Sequence, residues 1–375
     1  MKKIVHIVIG KANPESSNGV NKAVHGIAAR MAAEGRDVEV WGLTETPEEQ
    51  TVKRPYSLHL FQAKGRSFFI SPLVIEAIDA LPAGSLVHFH GGLIPAYYGI
   101  AKYLKRKNIP WVISPHAAYM RPSMRRKGGL KALYLKICEK FMLRHARAVH
   151  VLTDLEATDT KAVYADAPLV TIPNAYADED VKRTSFSDIY AHAKPVFCYI
   201  GRLDKVHKGL DLLIEGFSQY TAAGGQGELW LVGEGPHEAQ LRHLAANRYL
   251  GNHVRFWGSL YGREKLNVLL NAQVFVHTSR WEGMPMSLLE AAAHARPLLI
   301  SKGTGLSAEV DKWRAGIVLN ENSPAEIAQA MFQCQQLQKL GKLQEMGRQA
   351  AQMVDDAFRW DKVIRMMNET LYRAA

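Results

Sequence analysis

The chain has 375 residues, 47% hydrophobic and 22% charged, with a formal net charge of +11. That length exceeds the size at which one hydrophobic core keeps growing, so two domains are expected, and the balance excludes a disordered or collagen-like chain. No run reaches the roughly 18 apolar residues that cross a bilayer, MKKIVHIVIG is too quickly polar for a signal peptide, and Cys138, Cys198 and Cys334 have no metal-ligand spacing and read as reduced fillers of a cytoplasmic protein.

KIVHIVI opens the chain as a buried strand, NKAVHGIAARMAAEG follows as a helix that stops at Gly35, and DVEVWGL is a second strand. SLVHFHG, AYYGIAKYLKRKN and PWVISPH repeat the unit, and AVHVLT begins another. Such alternation predicts a parallel sheet flanked by helices. Across 101–147, thirteen lysines and arginines stand against one acid, Glu139, a stretch that attracts phosphate on nucleic acid, anionic lipid or a phosphorylated acceptor. Inside it Leu130, Leu133, Leu135, Ile137, Phe141, Met142 and Leu143 recur near helical spacing. The pattern suits a basic amphipathic helix on a membrane surface, and equally a domain helix with one face in the core.

Periodicity is lost around 183–195, in RTSFSDIYAHAKP, and a fresh strand, VFCYIG, follows. The expected division is therefore a first Rossmann-like domain over 1–185, a second over 195–355, and a closing helical segment over 356–375. VFCYIGRL, GLDLLIEGFSQYTAAG, ELWLVGEGP, HEAQLRHLAANRY, VRFWGSL, REKLNVLLNA, VFVHTS and RPLLIS give the second half the pattern of a doubly wound α/β domain, in which ligands bind beyond the carboxyl ends of the strands.

One such loop is SRWEGMPMSLLEAAAHARP, 279–297. Pro285 suits the first position of the helix, whose free N–H groups favour an electron-rich ligand, and Gly283 permits close approach to the backbone. Glu282 and Glu290 are suited to accept hydrogen bonds from sugar or ribose hydroxyls, or else serve only the helix dipole and a solvated face. Arg202 and Lys208 flank another strand-to-helix loop, as a diphosphate site requires and as a solvated loop also allows.

GRLDKVHKGLDLLIEGF, LVGEGP, VRFWGSL, RWEGMPMSLLEA, SKGTGLSAEV and AGIVL, in this order, resemble the second domain of the GT4 family of retaining glycosyltransferases. TIPNAY, VISPHAAY and Asn18-Gly19 resemble, more loosely, motifs of its first domain. The resemblance implies a GT-B fold, two Rossmann-like domains facing across a cleft with a C-terminal helix crossing back to the first. It implies that Arg202 and Lys208 hold the donor diphosphate, Glu290 the ribose, and Glu282 with Gly283, Met284 and Pro285 the transferred sugar. Gly19 would approach the phosphates, His116 the anomeric carbon, and the loop at Ser259 and Leu260 the base. Asn18 and Ala117 depart from the family pattern and bear on first-domain geometry and acceptor choice.

Fixed cations at the leaving diphosphate stabilise the transition state more than the ground state, so Arg202 and Lys208 can take the place of a metal. No residue stands out as a covalent nucleophile, so same-face attack by the acceptor is expected. His88 and His90 read as satisfied core or rim histidines that could flank the acceptor. The DED of Asp178–Asp180 only imitates a metal motif, and GEGPHE is an incomplete dinucleotide fingerprint.

The expected activity is a metal-independent, retaining hexosyltransferase of bacterial surface polysaccharide or lipopolysaccharide assembly. Its donor is a UDP- or GDP-sugar, its acceptor a glycan, lipid-linked, reached from an anionic membrane surface bound through 101–147. No cofactor and no nucleic-acid partner is expected, and the protein should lie in the cytoplasm or on the inner face of the membrane. The competing readings are a GT-B sugar-nucleotide epimerase, a glycan-binding relative without activity and a basic nucleic-acid-binding protein.

Overall fold

The computed structural model describes residues 2–13, 18–47, 53–63, 67–120, 124, 132–176 and 194–373. The expected boundary over 183–193, Asp178–Asp180, and Arg121, Arg125, Arg126, Lys127, Leu130 and Lys131 of the basic stretch lie outside them. The chain divides into two compact units, Met1–Asn174 with Trp360–Ala375, and Ala175–Arg359.

The first unit carries β1 (Ile4–Ile9), α1 (Gly19–Ala33), β2 (Val38–Thr44), β3 (Ser57–Gln62), α2 (Pro72–Asp79), β4 (Leu86–His90), α3 (Pro95–Arg106) and β5 (Trp111–Ser114). A π-helical turn, Leu135–Glu139, then runs into α4 (Lys140–His145), followed by β6 (Ala148–Val151), α5 (Asp154–Val163) and β7 (Leu169–Thr171). The sheet order is β3-β2-β1-β4-β5-β6-β7, with every pairing parallel. Helices cover both faces of such a sheet, so its central strands are apolar nearly throughout: Val5, Ile7, Val87, Phe89, Ile113 and Val149 are almost wholly buried. The strand order reverses between β1 and β4, whose register sets His6 beside His88 and Val8 beside His90.

The second unit runs β8 (Val196–Ile200), the one-turn α6 (Lys205–Lys208), α7 (Leu210–Ala222), β9 (Glu228–Val232), α8 (Glu238–Asn247), β10 (Val254–Gly258), α9 (Gly262–Asn271) and β11 (Val274–His277). It continues with α10 (Met286–Ala293), β12 (Leu298–Ser301), α11 (Ser307–Trp313), β13 (Gly316–Leu319), α12 (Pro324–Lys339) and α13 (Lys342–Ala357). Its parallel sheet, β10-β9-β8-β11-β12-β13, reverses between β8 and β11. Phe197, Leu213, Phe217 and Leu231 fill its core, each such side chain stabilising the fold by about 1.5–3 kcal/mol relative to exposure. The last helix, α14 (Trp360–Thr370), belongs with the first unit and packs on α1.

Pro285 is one residue short of its expected place: it is the N-cap, in extended backbone, and α10 begins at Met286. Lys208 does not stand in a bare loop but ends α6, after which Gly209 turns the chain. All three cysteines are free and buried. Among the described residues no helix is long and apolar enough to cross a membrane.

Candidate active site

In an open parallel sheet the place where strand order reverses is where the loops diverge and leave a crevice. In the second unit, those loops follow β8 and β11. The first holds Arg202, Asp204 and Lys208, the second Glu282. Asp204 caps α6 by accepting from the N–H groups of Val206 and His207, both at 3.0 Å, and pairs with the half-exposed Arg202 at 3.3 Å. Burial would raise the Asp204 carboxyl, but these N–H groups and Arg202 hold it below its usual value. Lys208 reaches across to Glu282 in a close ion pair, and His207, stacked on Trp281, lies 3.6 Å from the same carboxylate. Burial pushes Glu282 up, yet Lys208, His207 and His277 together pull it down, so it stays ionised.

The two loops are stitched at several points. Arg280 binds Asp211 through both terminal nitrogens, at 2.9 and 2.8 Å, and donates to the carbonyls of Lys205 and Val206, the first two residues of α6. Gly209 is left-handed, with φ of 62°, and a Cβ there would lie 2.1 Å from the Thr278 carbonyl oxygen, so only glycine permits this approach. The Glu282 backbone is held by the loop after β12: its N–H donates to Gly303 at 3.0 Å, and its carbonyl accepts from Gly305 at 3.0 Å. The GEGP segment has a packing role, since Gly233 lets the loop after β9 lie against Gly201, where a Cβ would come within 2.1 Å of a carbonyl oxygen.

Glu290, in the second turn of α10, pairs with Lys265 of α9 at 2.5 Å. The Lys265 partnership had no signal in the sequence, and it places a cation beside the proposed ribose carboxylate, on the helix that follows Ser259 and Leu260. Gly283, Met284 and Pro285 are buried at the start of α10, whose first turn carries no acid. The structure thus brings Lys208 to Glu282 and sets Arg202 two residues from the Asp204 cap of α6.

In the first unit Asn18 caps α1, accepting from the Val20 N–H at 2.9 Å, and Gly19 begins the helix with open space where a Cβ would stand. The buried Asn21 shapes the preceding loop, accepting from Ala12 at 2.8 Å and donating to Ile9 at 3.2 Å. His116 and Ala117, after β5, are both left-handed, with φ of 51° and 65°. Two consecutive non-glycine residues there cost about 1–3 kcal/mol each, and such strain collects at functional sites.

Behind this loop the histidines form two chains. His150 Nε2 faces the Ile172 carbonyl at 2.8 Å, and a carbonyl only accepts, so Nε2 carries the proton. Its Nδ1 must then accept from Ser114 Oγ at 2.7 Å; Ser114 accepts from His88 Nε2 at 2.7 Å; His88 Nδ1 accepts from the Tyr372 hydroxyl at 2.6 Å. The second chain runs from His6 Nδ1 to His90 Nε2 at 2.9 Å and from His90 Nδ1 to His116 Nε2 at 3.1 Å. Nitrogens of His6, His88 and His90 come within 4.8 Å of one another, as metal ligands do. All but His6 Nε2 already have protein partners, so the trio is a hydrogen-bonded network. Burial keeps these rings neutral: it lowers His6 and His116 to about 3 and His150 to about 4, and it lowers His88 and His90 too.

Two doubly wound units, the second with a cation and carboxylate pair at its crevice, define a protein of GT-B architecture. Residues 18–175 match the model of the glycosyl transferase 4-like domain and residues 182–353 that of glycosyl transferases group 1. The chain is 31% identical over 353 residues to the D-rhamnosyltransferase WbpZ of Pseudomonas aeruginosa, covering 84% of this chain and 82% of that one. It is 25% identical over 333 residues to the O-antigen chain mannosyltransferase C of Escherichia coli, covering 85% of each. The match to the alpha-D-kanosaminyltransferase of Streptomyces kanamyceticus, 26% identical, spans only about half of either chain, 52% and 53%. Among solved structures, Anabaena HepE in complex with UDP and glucose superposes with a TM-score of 0.78 at 18% identity, covering 99% of both chains. The chain belongs to the GT4-like group 1 glycosyltransferases.

Proposed function

We propose that this glycosyltransferase moves a hexose, with retention, from a UDP- or GDP-sugar to a lipid-linked glycan in the assembly of a bacterial surface polysaccharide. The observation that carries the reading is the Lys208–Glu282 pair at the second unit's crevice, beside Arg202. A nucleoside diphosphate sugar needs a cation for its phosphates and a carboxylate for its hydroxyls in one place. In this reading Arg202 and Lys208 take the charge that grows on the departing diphosphate, without a metal. Glu282, with the backbone of Gly283, Met284 and Pro285, holds the sugar. Glu290 holds the ribose, and Ser259 and Leu260 lie against the base. Gly19 approaches the phosphates, and His116, neutral, orients the sugar without supplying charge. The acceptor attacks the face from which the diphosphate leaves. The names of the mannosyl- and rhamnosyltransferase relatives support the polysaccharide assignment, and the UDP complex of HepE supports the donor class.

The test is thermal stabilisation by UDP, GDP, ADP and their sugars with EDTA present, on the wild type and on Glu290→Ala. A ligand at a hundred times its dissociation constant adds about 2.7 kcal/mol. One nucleotide should stabilise the wild type and much less the variant; no stabilisation by any of them would sink the assignment of the donor site.

The lipid acceptor rests on a surface of the first unit. Phe68, Phe69, Leu73, Leu133 and Ile137 are exposed there, the Phe68 ring lies 5.9 Å from Tyr134 and 6.3 Å from Tyr98, and Lys102 covers Tyr98 at 5.5 Å. Glu139, the one acid of the basic stretch, is buried, so its charge does not oppose the lysines. Apolar rings among lysines suit an anionic bilayer at the inner face of the membrane. Sedimentation with anionic liposomes at low salt should capture the wild type and lose a Phe68→Ser/Phe69→Ser variant; a wild type left in solution would favour a soluble acceptor.

A further inference from the structure

Among the described residues of the first unit, Glu139, Glu156 and Asp159 carry buried carboxylates, and the nucleotide-sugar reading uses none of them; the first two reach into neighbouring loops. Glu156 sits at the third position of α5 behind the N-cap Thr153, where a Thr-x-x-Glu pair ordinarily closes on its own helix. Here the Thr153 hydroxyl accepts from the Glu156 N–H at 3.2 Å, but the carboxylate reaches back past Thr153. One oxygen accepts from Leu152 N–H at 2.8 Å, and the other accepts from Ala117 N–H, in the loop after β5, at 2.5 Å. Glu139 repeats the device on the loop after β4: one oxygen accepts from Leu93 N–H at 2.8 Å, the other from the Tyr119 hydroxyl. At each carboxylate one bonded amide belongs to a residue in the left-handed region, Leu93 at φ of 63° and Ala117 at 65°, with His116 at 51° beside the latter.

We propose that Glu156 is a positioning residue: its carboxylate holds Ala117 and His116 in left-handed backbone and so sets the imidazole of His116 toward the transferred sugar, while Glu139 does the same for the neighbouring loop at Leu93. The strain and the grip occur together at both loops, which are joined to each other through the Glu139 bridge between Leu93 and Tyr119 and through the His90–His116 contact. A carboxylate buried by its surroundings and given two backbone N–H donors is a costly way to stabilise a helix start, and that cost is intelligible where the loop must hold one shape. Glycine takes this backbone without strain, so the carboxylate at 156 stands in for a glycine at 117.

This inference rests on the sugar-transfer reading, and the experiment separates the two. Turnover of the stabilising sugar nucleotide, with water or added glycan as acceptor, is measured for the wild type, Glu156→Gln, Ala117→Gly and the double variant, together with nucleotide affinity, which the second unit supplies. Glu156→Gln should lower kcat by about 10–100-fold, as expected of a displacement near 1 Å, with nucleotide affinity unchanged. Adding Ala117→Gly should restore most of the loss, which a merely structural role would not allow. Unchanged kcat in Glu156→Gln, or a loss that Ala117→Gly fails to relieve, overturns the proposal. If Glu156→Gln does not fold, Ala117→Val tests the same backbone in the native background: a fall in kcat at constant nucleotide affinity supports the proposal, and no fall overturns it. A wild type that binds nucleotide but turns over no sugar nucleotide goes against the transfer reading instead. The Ala117 amide proton then decides the positioning claim, because it must move upfield in Glu156→Gln and an unmoved resonance overturns it.

Discussion

The two crevices are built from opposite electrostatic materials. In the second unit, the loops after β8 and β11 bring opposite charges together, Lys208 with Glu282 and Arg202 with Asp204, and these surroundings hold both carboxyls below their usual values. In the first unit, β1, β4, β6 and the loop after β5 bring together imidazoles held neutral by burial and joined in directional chains. A charged crevice can compensate phosphate, whereas a neutral one can fix the orientation of hydroxyls without opposing them. The same α/β scaffold therefore offers two chemistries, set by whether the loop-end groups find counter-ions.

The comparison breaks hardest at Lys208. Lys208→Ala removes the cation proposed for the leaving diphosphate and leaves the largely buried Glu282 with only His207 and His277 beside it. Turnover of the sugar nucleotide should fall by about 10²–10³-fold, the usual scale for one preorganised electrostatic group. Stability should fall by a few kcal/mol, on the order of 3, because an unpaired charge remains. Adding Glu282→Gln should restore the stability and not the turnover. An unchanged kcat in Lys208→Ala would move the diphosphate away from this crevice.

Acid should sharpen the contrast by striking the first unit sooner. A histidine whose folded pKa is depressed is neutral when folded and protonated when unfolded, so between the folded value and about 6.5 the unfolded chain binds the extra proton. Its contribution is complete above pH 6.5 and is lost as the pH falls, by up to about 1.4 kcal/mol per pH unit for each ring. His6, His88, His90, His116 and His150 all lie in the first unit, against His207 and His277 in the second. The depressed Glu282 has the same sign but a lower window: its contribution is complete at pH 5 and is lost only as the pH falls through the carboxylate range toward its lowered folded value. Hydrogen exchange at pH 7.5 and pH 5 should show first-unit strands losing protection well before those of the second. Equal loss in both would mean that the imidazoles are already charged in the folded chain.

What was legible beforehand follows the same line. Fully buried parallel strands are continuous apolar runs, so KIVHIVI and VFCYIG were readable without a structure, as was the loop position of Arg202 and Glu282 just beyond strand ends. The partners were not readable. Lys265 meets Glu290 from another helix, Arg280 meets Asp211 from a loop 69 residues away, and Glu156 looks like an ordinary capping glutamate until the β5 loop is seen against it. The histidines pointed to satisfied rim or core groups, which they are, but their chains depend on strand register: His6 meets His88 only because Ile4 aligns with Leu86. The basic stretch gave no sign that Glu139 would be withdrawn from the surface.

The smallest expected effect lies at the far end of the first histidine chain. The polarity argued from the Ile172 carbonyl makes the Tyr372 hydroxyl the donor and His88 Nδ1 the acceptor. Run in reverse, the chain would end with a bare His150 lone pair against a carbonyl oxygen, an arrangement that repels. Tyr372→Phe should therefore strip a buried nitrogen of its only donor while leaving the ring of residue 372 packed against His6 and His88, at a cost of about 1–2 kcal/mol. Urea unfolding should show that loss with nucleotide affinity unchanged, since the donor site is proposed for the second unit. Nitrogen NMR should find His88 protonated at Nε2 in the wild type. An Nδ1-protonated His88 would reverse the whole chain and leave Tyr372 an acceptor, making the contact at Ile172 the point of strain.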